Sequence, residues 1–134
     1  MTLSPAVRAF LSEKRFATLA TINSDNTPQQ TVMWYELRGE TIVMNTTATR
    51  VKGRNLARDR RVSICVEDGY RYVTISGEAQ LMKERATAQE DIRRLAIRYN
   101  GAEAAARQMA EQFSKQERVS IYLPVERVIA NGFE

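Results

Sequence analysis

Residues 46–56 read TTATRVKGRNL and determine the organisation that we predict for the chain. They follow a β-like run, TIVMN, and pass from hydroxyl side chains into a basic segment. Six of the twenty Lys and Arg residues lie between positions 50 and 61, where only Asp59 offsets them. A helix starting here would present free backbone N–H groups and the positive end of its dipole, which both favour an anion. We therefore predict that this segment binds an anion such as a phosphate group.

The basic side chains of this segment share one side of the predicted helix. Arg50, Arg54, Arg58 and Arg61 are spaced at i, i+4, i+8 and i+11, while Leu56 must face the core. Such a row is most often a solvated helix face. Nucleic-acid binding is a further alternative, but the rest of the chain carries fourteen basic and fifteen acidic residues and no stacking aromatic module. We therefore expect a local anionic ligand and no nucleic-acid partner.

The composition excludes several kinds of active site. The chain has no histidine and one cysteine, Cys65. A Ser-His-Asp triad, a Cys-His dyad, histidine-ligated zinc or haem and a thiolate metal cluster are therefore excluded. Cys65 lies in an apolar run, VSICV, where we expect a buried and unreactive thiol. We assign no catalytic residue and no metal ligand, and we expect that any chemistry comes mainly from a bound group.

Length and hydropathy favour a single cytoplasmic domain. A chain of 134 residues is expected to form one domain, residues 1–134, with a substantial core. No positively charged and then apolar N-terminal signal is present, and no apolar run approaches the roughly 20 residues of a membrane helix. A single cysteine also fits a reducing compartment. These features predict a cytoplasmic protein without a membrane partner.

Hydrophobic alternation and turn residues predict an antiparallel meander in the first half of the chain. Residues 16–22, 30–37 and 41–46 read as its three strands. Short turns at residues 23–28 and 38–40 join them.

Further strands follow the basic helix, which we predict over residues 49–58. Residues 62–67 and 72–82 read as strands, and Gly77 within the longer one predicts a bulge or bend. The last strands are predicted at residues 119–123 and 125–133, on either side of Pro124.

Amphipathic helices flank these strands. Ser4 and Pro5 are typical of a helix start. Residues 87–90 read as a capping box that opens a second amphipathic helix, which ends at Asn100 and Gly101. A third helix is predicted from the apolar stripe Ala106, Met109, Ala110 and Phe113. The predicted fold is mainly β: a six-stranded antiparallel barrel, closed or nearly closed, with flanking helices.

Three blocks of sequence carry a family resemblance. They are TLATINSDNTPQQTVMWYEL (residues 18–37), NTTATRVKGRNLARDRRVSICVED (45–68) and YRYVTISGEAQL (70–81). Their order and spacing resemble the pyridoxamine-phosphate-oxidase-like split-barrel flavoproteins, and among these the branch that uses the deazaflavin coenzyme F420. The resemblance implies a split β-barrel, a homodimer and two cofactor sites in the groove between subunits.

The resemblance also implies cofactor-binding residues. Arg50 and Lys52 match the basic pair that holds the cofactor phosphate. Asn45, Thr46 and Thr47 match the strand end beside the ribityl chain and phosphate. Thr31, Val32, Met33 and Trp34 match the strand that lies along the ring, largely through backbone groups. The family often has glycine before the arginine of the basic pair, whereas this chain has Thr49.

The leading functional hypothesis is an oxidoreductase that transfers a hydride between F420 and an unsaturated small-molecule substrate. One phosphate does not require the additional positive charge of Arg54, Arg58 and Arg61. This excess favours F420, which carries an acidic oligoglutamate tail, over FMN, which does not. An FMN-dependent oxidase or reductase and a non-catalytic flavin- or deazaflavin-binding protein are the alternatives. Each of the implied contacts also has a plainer explanation: Trp34 is as compatible with core or dimer packing, and Thr46 and Thr47 with helix capping.

Overall fold

The computed structural model describes residues 3–133, which form two antiparallel sheets and four α-helices. The helices are α1 (Pro5–Ser12), α2 (Val51–Arg58), α3 (Arg85–Asn100) and α4 (Ala102–Glu111), followed by a 3-10 turn at Phe113–Lys115. The strands are β1 (Ala17–Ile22), β2 (Pro28–Met33), β3 (Glu36–Arg38), β4 (Thr41–Thr47), β5 (Arg61–Glu67), β6 (Tyr72–Glu78), β7 (Gln80–Met82), β8 (Arg118–Pro124) and β9 (Arg127–Asn131).

The two sheets confirm the mainly β, antiparallel prediction but not the strand number. The first sheet has the order β2-β1-β5-β6-β9 and the second has the order β3-β4-β8-β7. The described residues therefore contain nine strands where six were predicted, and no strand pairing among them closes either sheet into a barrel.

Two of the additional strands arise because the chain passes from one sheet to the other within segments that read as single strands. The predicted strand 30–37 breaks at Trp34 and Tyr35, so that β2 joins the first sheet and β3 the second. Tyr35 is fully buried, and its hydroxyl donates a hydrogen bond of 2.8 Å to the Leu11 carbonyl. Burial of this ring turns the backbone out of the first sheet.

The chain passes between the sheets a second time between β6 and β7, at Ala79 and not at Gly77, where we predicted the bend. Strand β6 runs through Gly77, and the break comes at Ala79, whose N–H donates to the Arg60 carbonyl at 2.7 Å. A Cβ at Gly77 would meet the nearest heavy atom, of Leu123, at 3.4 Å, which is an ordinary contact. The bend therefore depends on the backbone contact at Ala79 and not on a missing side chain.

The main hydrophobic core fills the space between the sheets. The second sheet contributes Ile42, Met44, Ile121 and Leu123, and the first contributes Leu19, Ile64, Val73 and Ile75. Leu56 of α2 is fully buried in this core, as predicted. A smaller cluster joins α3, α4 and the 3-10 turn through Ile92, Leu95, Ala96, Ala105 and Phe113.

The helix predictions need two corrections. Helix α3 begins at Arg85 because the carboxylate of Glu84 accepts a hydrogen bond from the Thr87 N–H at 3.1 Å, so the predicted capping box at 87–90 lies inside the helix. In α4 the buried residue is Ala105, while Ala106 and Ala110 are exposed. The α-helix ends at Glu111, and a 3-10 turn carries Phe113 inward, which shifts the buried face by one position.

The burial of Cys65 is also less complete than predicted. Its side chain is half-buried, because the alternation along β5 points Val62, Ile64 and Val66 into the core and Cys65 to the other face.

Helix α2 begins in very close contact with the end of β4. A Cβ built at Gly53 would overlap the Thr47 carbonyl oxygen and would lie 3.3 Å from two backbone carbons of Ala48. Only glycine fits at this position without a shift of backbone. The contact fixes the first turn of the helix, which carries Arg50 and Lys52, against the strand.

We predict that Gly53→Ala destabilises the fold by about 1–3 kcal/mol, although alanine is the better helix former, because the methyl group must displace backbone atoms. Denaturant unfolding measures this change. Gly77→Ala is the matched control, since its Cβ has room. A Gly53→Ala protein as stable as the wild type would show that the helix is not held so closely.

Candidate functional site

A cavity of about 190 Å³ lies where β2, β4, the start of α2 and α3 meet. Its lining residues come from distant parts of the chain: Val32, Met33, Trp34, Asn45, Arg50, Lys52, Ile92, Leu95, Phe113 and Arg118. Six of the nine residues predicted to bind a cofactor are thus brought together, and Thr31, Thr46 and Thr47 do not line the cavity. Whether the nine residues bind a cofactor remains a prediction.

One end of the cavity is formed by three cations. Arg50 is exposed, whereas Lys52 is 7% exposed and Arg118 is 6% exposed. No salt bridge within residues 3–133 pairs any of the three with a carboxylate. An anion entering the cavity would therefore meet positive charge that the protein itself does not neutralise.

The pKa values of the two buried cations reflect this charge. Burial lowers the pKa of Lys52, and the neighbouring charges of Arg50 and Arg118 lower it further. Burial, followed by the charge of Arg50, lowers the pKa of Arg118 to about 10. With a pKa of about 10, Arg118 remains a cation at neutral pH. A bound anion would offset the repulsion among the basic groups.

Arg118 is the main site residue that the sequence did not indicate. It opens β8 opposite Thr47 of β4, so only the pairing of these strands brings it to the cavity. Its guanidinium donates to the Asn45 Oδ1 at 2.9 Å and to the Gln116 Oε1 at 2.7 Å. The only local signal is the alternation of Arg118, Ser120 and Tyr122 with apolar residues in RVSIYL, which reads simply as a strand.

The rest of the cavity wall is apolar and aromatic. Val32, Met33 and Trp34 come from the end of β2, while Ile92, Leu95 and Phe113 come from α3 and the turn after α4. Trp34 stacks on Tyr99 with ring centroids 5.3 Å apart and planes 10° apart, and Phe16 also stacks on Tyr99, with ring centroids 5.5 Å apart. Trp34 therefore combines a packing role with a position in the cavity wall.

The three remaining predicted residues lie outside this cavity. Thr46 is on the opposite face of β4 from Asn45, is 1% exposed, and its Oγ1 is buried without a hydrogen-bond partner. The Thr47 and Thr49 hydroxyls lie 3.4 Å apart. Among the described residues Asn26 is the only non-glycine with a positive φ, so Thr49 needs no glycine-like backbone.

The other arginines of the basic segment have separate environments. Arg54 and Arg58 line a second, polar cavity of about 400 Å³ with Asp25 and Asn55. The Arg58 guanidinium also donates to the Ile22 carbonyl at 2.7 Å. Arg61 belongs to β5 and forms a salt bridge of 2.8 Å with Asp59, so it does not continue the predicted helical row.

The sequence matches the family model described as pyridoxamine 5'-phosphate oxidase over residues 3–132. The chain belongs to this family. Members of the pyridoxamine 5'-phosphate oxidase family bind flavins, and the family includes oxidoreductases.

Solved structures agree with this assignment. The conserved hypothetical protein Rv2991 from Mycobacterium tuberculosis is 30% identical with a TM-score of 0.83, over 100% of this chain and 88% of that one. A protein described as an F420 reductase is 24% identical with a TM-score of 0.73, over 91% and 94% of the two chains. The haem storage protein HutZ from Vibrio cholerae is 17% identical with a TM-score of 0.73, over 99% and 97%. The last two similarities establish the fold alone.

The described residues lack two further features. None of the helices is both long and apolar enough to cross a membrane. Within residues 3–133, no three side chains of His, Cys, Asp or Glu are grouped as metal ligands.

The cation cluster predicts a link between stability, pH and anions. Because the folded protein lowers the pKa of Lys52, stability rises with pH through the range just below the usual value of 10.5. Anion binding requires the charged amine and must weaken over the same range. We predict that pyrophosphate raises the melting temperature at pH 7, and that this shift declines as the pH rises toward that range.

Lys52→Met tests the same cluster directly. We expect this variant to melt at or above the wild-type temperature without pyrophosphate, because a buried charge is removed, and to lose most of the pyrophosphate shift. Thermal scans measure both effects, and Lys14→Met at an exposed position is the matched control. A full pyrophosphate shift in Lys52→Met would rule out Lys52 as an anion ligand.

Proposed function

We propose that the protein is an oxidoreductase that binds F420 in the cavity between β2 and α2 and transfers a hydride between this deazaflavin and an unsaturated small molecule. The observation that supports it most is the meeting of Arg50, Lys52 and Arg118 without a carboxylate partner at one end of an apolar cavity. A ligand that joins a phosphate to a flat ring would match this cavity, because the phosphate would meet the cations and the ring would meet the apolar wall.

The residues present fit such a cofactor. The Arg50 and Lys52 side chains, with the free N–H groups of the first turn of α2, would hold the phosphate. Val32, Met33 and Trp34 would lie along the ring, where an apolar wall excludes water. Helix α2 has no side-chain cap at Arg50, so its first N–H groups remain available to a ligand.

The chemistry in this proposal comes from the cofactor. When bound, a reduced deazaflavin would supply a hydride to a conjugated double bond and be oxidised itself, while solvent would supply the proton. The side chains that line the cavity include no carboxylate, thiol or imidazole, so the protein contributes binding, orientation and exclusion of water. We therefore propose no catalytic residue.

The second cavity favours F420 over FMN. It lies beside the same helix, and its Arg54 and Arg58 can pair with carboxylates beyond the phosphate. An oligoglutamate tail, which FMN lacks, would be the ligand for these arginines. Their exposure makes each contact modest, because solvent screens exposed ion pairs.

Cofactor titrations test this choice. We predict that the wild type binds F420 more tightly than FMN, and that Arg54→Ala combined with Arg58→Ala weakens F420 binding about three- to tenfold while FMN binding changes little. Arg60→Ala, at an exposed position that lines neither cavity, is the matched control. Oxidation of the reduced deazaflavin by an added acceptor, followed by its absorbance, tests for turnover.

Each contrary outcome favours a specific alternative. Bound FMN in the purified protein, with no preference for F420, would favour an FMN-dependent oxidase or reductase. Tight binding of either cofactor without turnover across a panel of conjugated acceptors would favour a cofactor-binding protein. Binding of neither cofactor would overturn the proposal.

The proposal includes a homodimer whose subunits meet beside the cavity. Strand β2 is an edge strand, and edge strands present unpaired backbone groups to a second chain. Val32 on this edge is 67% exposed and Phe16 close to it is 58% exposed, which is unusual for large apolar side chains. A second copy of the chain covering this edge would bury both.

We predict that Phe16→Glu converts the dimer to a monomer and weakens cofactor binding, although Phe16 does not line the cavity. The cause is a buried, unpaired carboxylate at the interface. Sedimentation velocity measures the mass. Tyr70→Glu, at a side chain that is 90% exposed, is the control that should remain dimeric. A wild-type monomer, or a Phe16→Glu dimer, would contradict this arrangement.

A further inference from the structure

A layer of buried polar side chains lies between α3 and the second sheet. Its members are all buried: Asn45 (6% exposed), Asp91 (3%), Arg118 (6%) and Ser120 (0%). A helix packed on a sheet usually buries apolar side chains, and each buried polar group requires a partner. The layer extends from the cation end of the cavity to the salt bridge between Arg38 and Asp91.

The hydrogen bonds in this layer have one direction. The Ser120 hydroxyl donates to the Asp91 Oδ2 at 2.6 Å, and the Asn45 Nδ2 donates to the Ser120 Oγ at 3.2 Å. The Asn45 Oδ1 then accepts from the Arg118 Nε at 2.9 Å. These three bonds form a continuous chain in which Arg118 donates to Asn45, Asn45 to Ser120 and Ser120 to Asp91. The same Asp91 oxygen also accepts a hydrogen bond from the Tyr122 hydroxyl at 2.6 Å.

The protein fixes the orientation of the Asn45 amide. Its two N–H donors are used by the Ala88 carbonyl at 3.0 Å and by Ser120. A flipped amide would place its NH2 group against the Arg118 Nε and its oxygen against the Ala88 carbonyl. Because the Ser120 hydroxyl already donates to Asp91, it must accept from Asn45, and this leaves only one arrangement.

The arrangement leaves part of Arg118 available to a ligand. Its Nε and Nη1 bond to Asn45 and Gln116, and no described residue accepts a hydrogen bond from its Nη2. The guanidinium also lies over the Phe113 ring, with Cζ 5.0 Å from the ring centroid. Because the guanidinium of Arg118 is planar and is held on one edge and one face, its remaining N–H donors point in a fixed direction.

We propose that Asp91, Ser120 and Asn45 act as positioning residues that hold Arg118 for the phosphate of the cofactor. The inference rests on the proposed function, and it changes the role of Asn45. Asn45 lines the cavity, but both ends of its amide bond to the protein, so it orients Arg118 instead of contacting the cofactor with that amide.

One matched pair of ligands isolates the contribution of the phosphate, because FMN and riboflavin differ by the phosphate alone. A second pair, F420 and its deazaflavin alcohol, differs by the phosphate and the tail together. We expect Arg118→Ala to weaken FMN and F420 about ten- to hundredfold and the phosphate-free partners little, the size of a charge-assisted hydrogen bond. Ser120→Ala should weaken the phosphate-bearing ligands about three- to tenfold by releasing Asn45 and Arg118.

A double-mutant cycle distinguishes positioning from a general structural effect. If Ser120 acts through Arg118, Ser120→Ala should have no further effect on FMN or F420 in the Arg118→Ala protein. We call the hydrogen-bond chain Asp91–Ser120–Asn45–Arg118 the relay. Asp91→Asn changes its other end and should behave as Ser120→Ala does. Ser63→Ala is the matched control, because this serine of β5 bonds to Ser76 of the neighbouring strand β6 in the first sheet and does not line the cavity.

The outcomes separate the relay from the function on which it rests. Equal wild-type affinity for the phosphate-bearing and phosphate-free ligands would overturn the proposed function. A clear wild-type preference that Ser120→Ala leaves unchanged would overturn the relay alone. Two other results are that Ser120→Ala weakens the binding of both members of each ligand pair equally, or that its effect adds to that of Arg118→Ala in the double mutant. Either result would assign Ser120 a structural role and overturn the relay as well.

Discussion

Uncompensated positive charge is the constraint on which the rest of the structure depends. Lys52 and Arg118 are held out of water beside Arg50. Burial and the charge of Arg50 lower the pKa of both groups, and the charge of Arg118 lowers that of Lys52 further. Such an arrangement opposes folding, and the core between the two sheets must offset it. An unfavourable arrangement of this kind persists only where the surrounding structure holds the chain in place. Here the close contact of Gly53 with the end of β4 holds the start of the helix that carries Lys52.

The sequence was sufficient to predict the part of the candidate site that a single continuous segment of the chain forms. The basic helix with Arg50 and Lys52 follows from helix-start chemistry, and Leu56 follows from periodicity. Arg118 could not be found in this way, because it meets Asn45 across 73 positions through the pairing of β4 with β8. The break at Trp34 and Tyr35 was also invisible, since no Gly or Pro marks it. Its cause is the burial of Tyr35, which long-range partners such as Leu11 determine.

The fold by itself leaves the function open. Similar backbones carry a protein described as an F420 reductase and another described as a haem storage protein, at the same TM-score of 0.73. Function resides in side chains that a backbone comparison does not see. In the site that we propose, those side chains are three cations and an apolar wall, and the hydrogen-bond chain from Asp91 connects the cation end to the packing of α3.

The position of Trp34 has a further consequence. It is the only tryptophan in the sequence, and it belongs to the cavity wall while stacking on Tyr99. Indole fluorescence of the protein therefore comes from the cavity itself, without a background from other tryptophans. A flat conjugated molecule that enters the cavity must alter that emission, so the protein carries an internal optical reporter of its own occupancy.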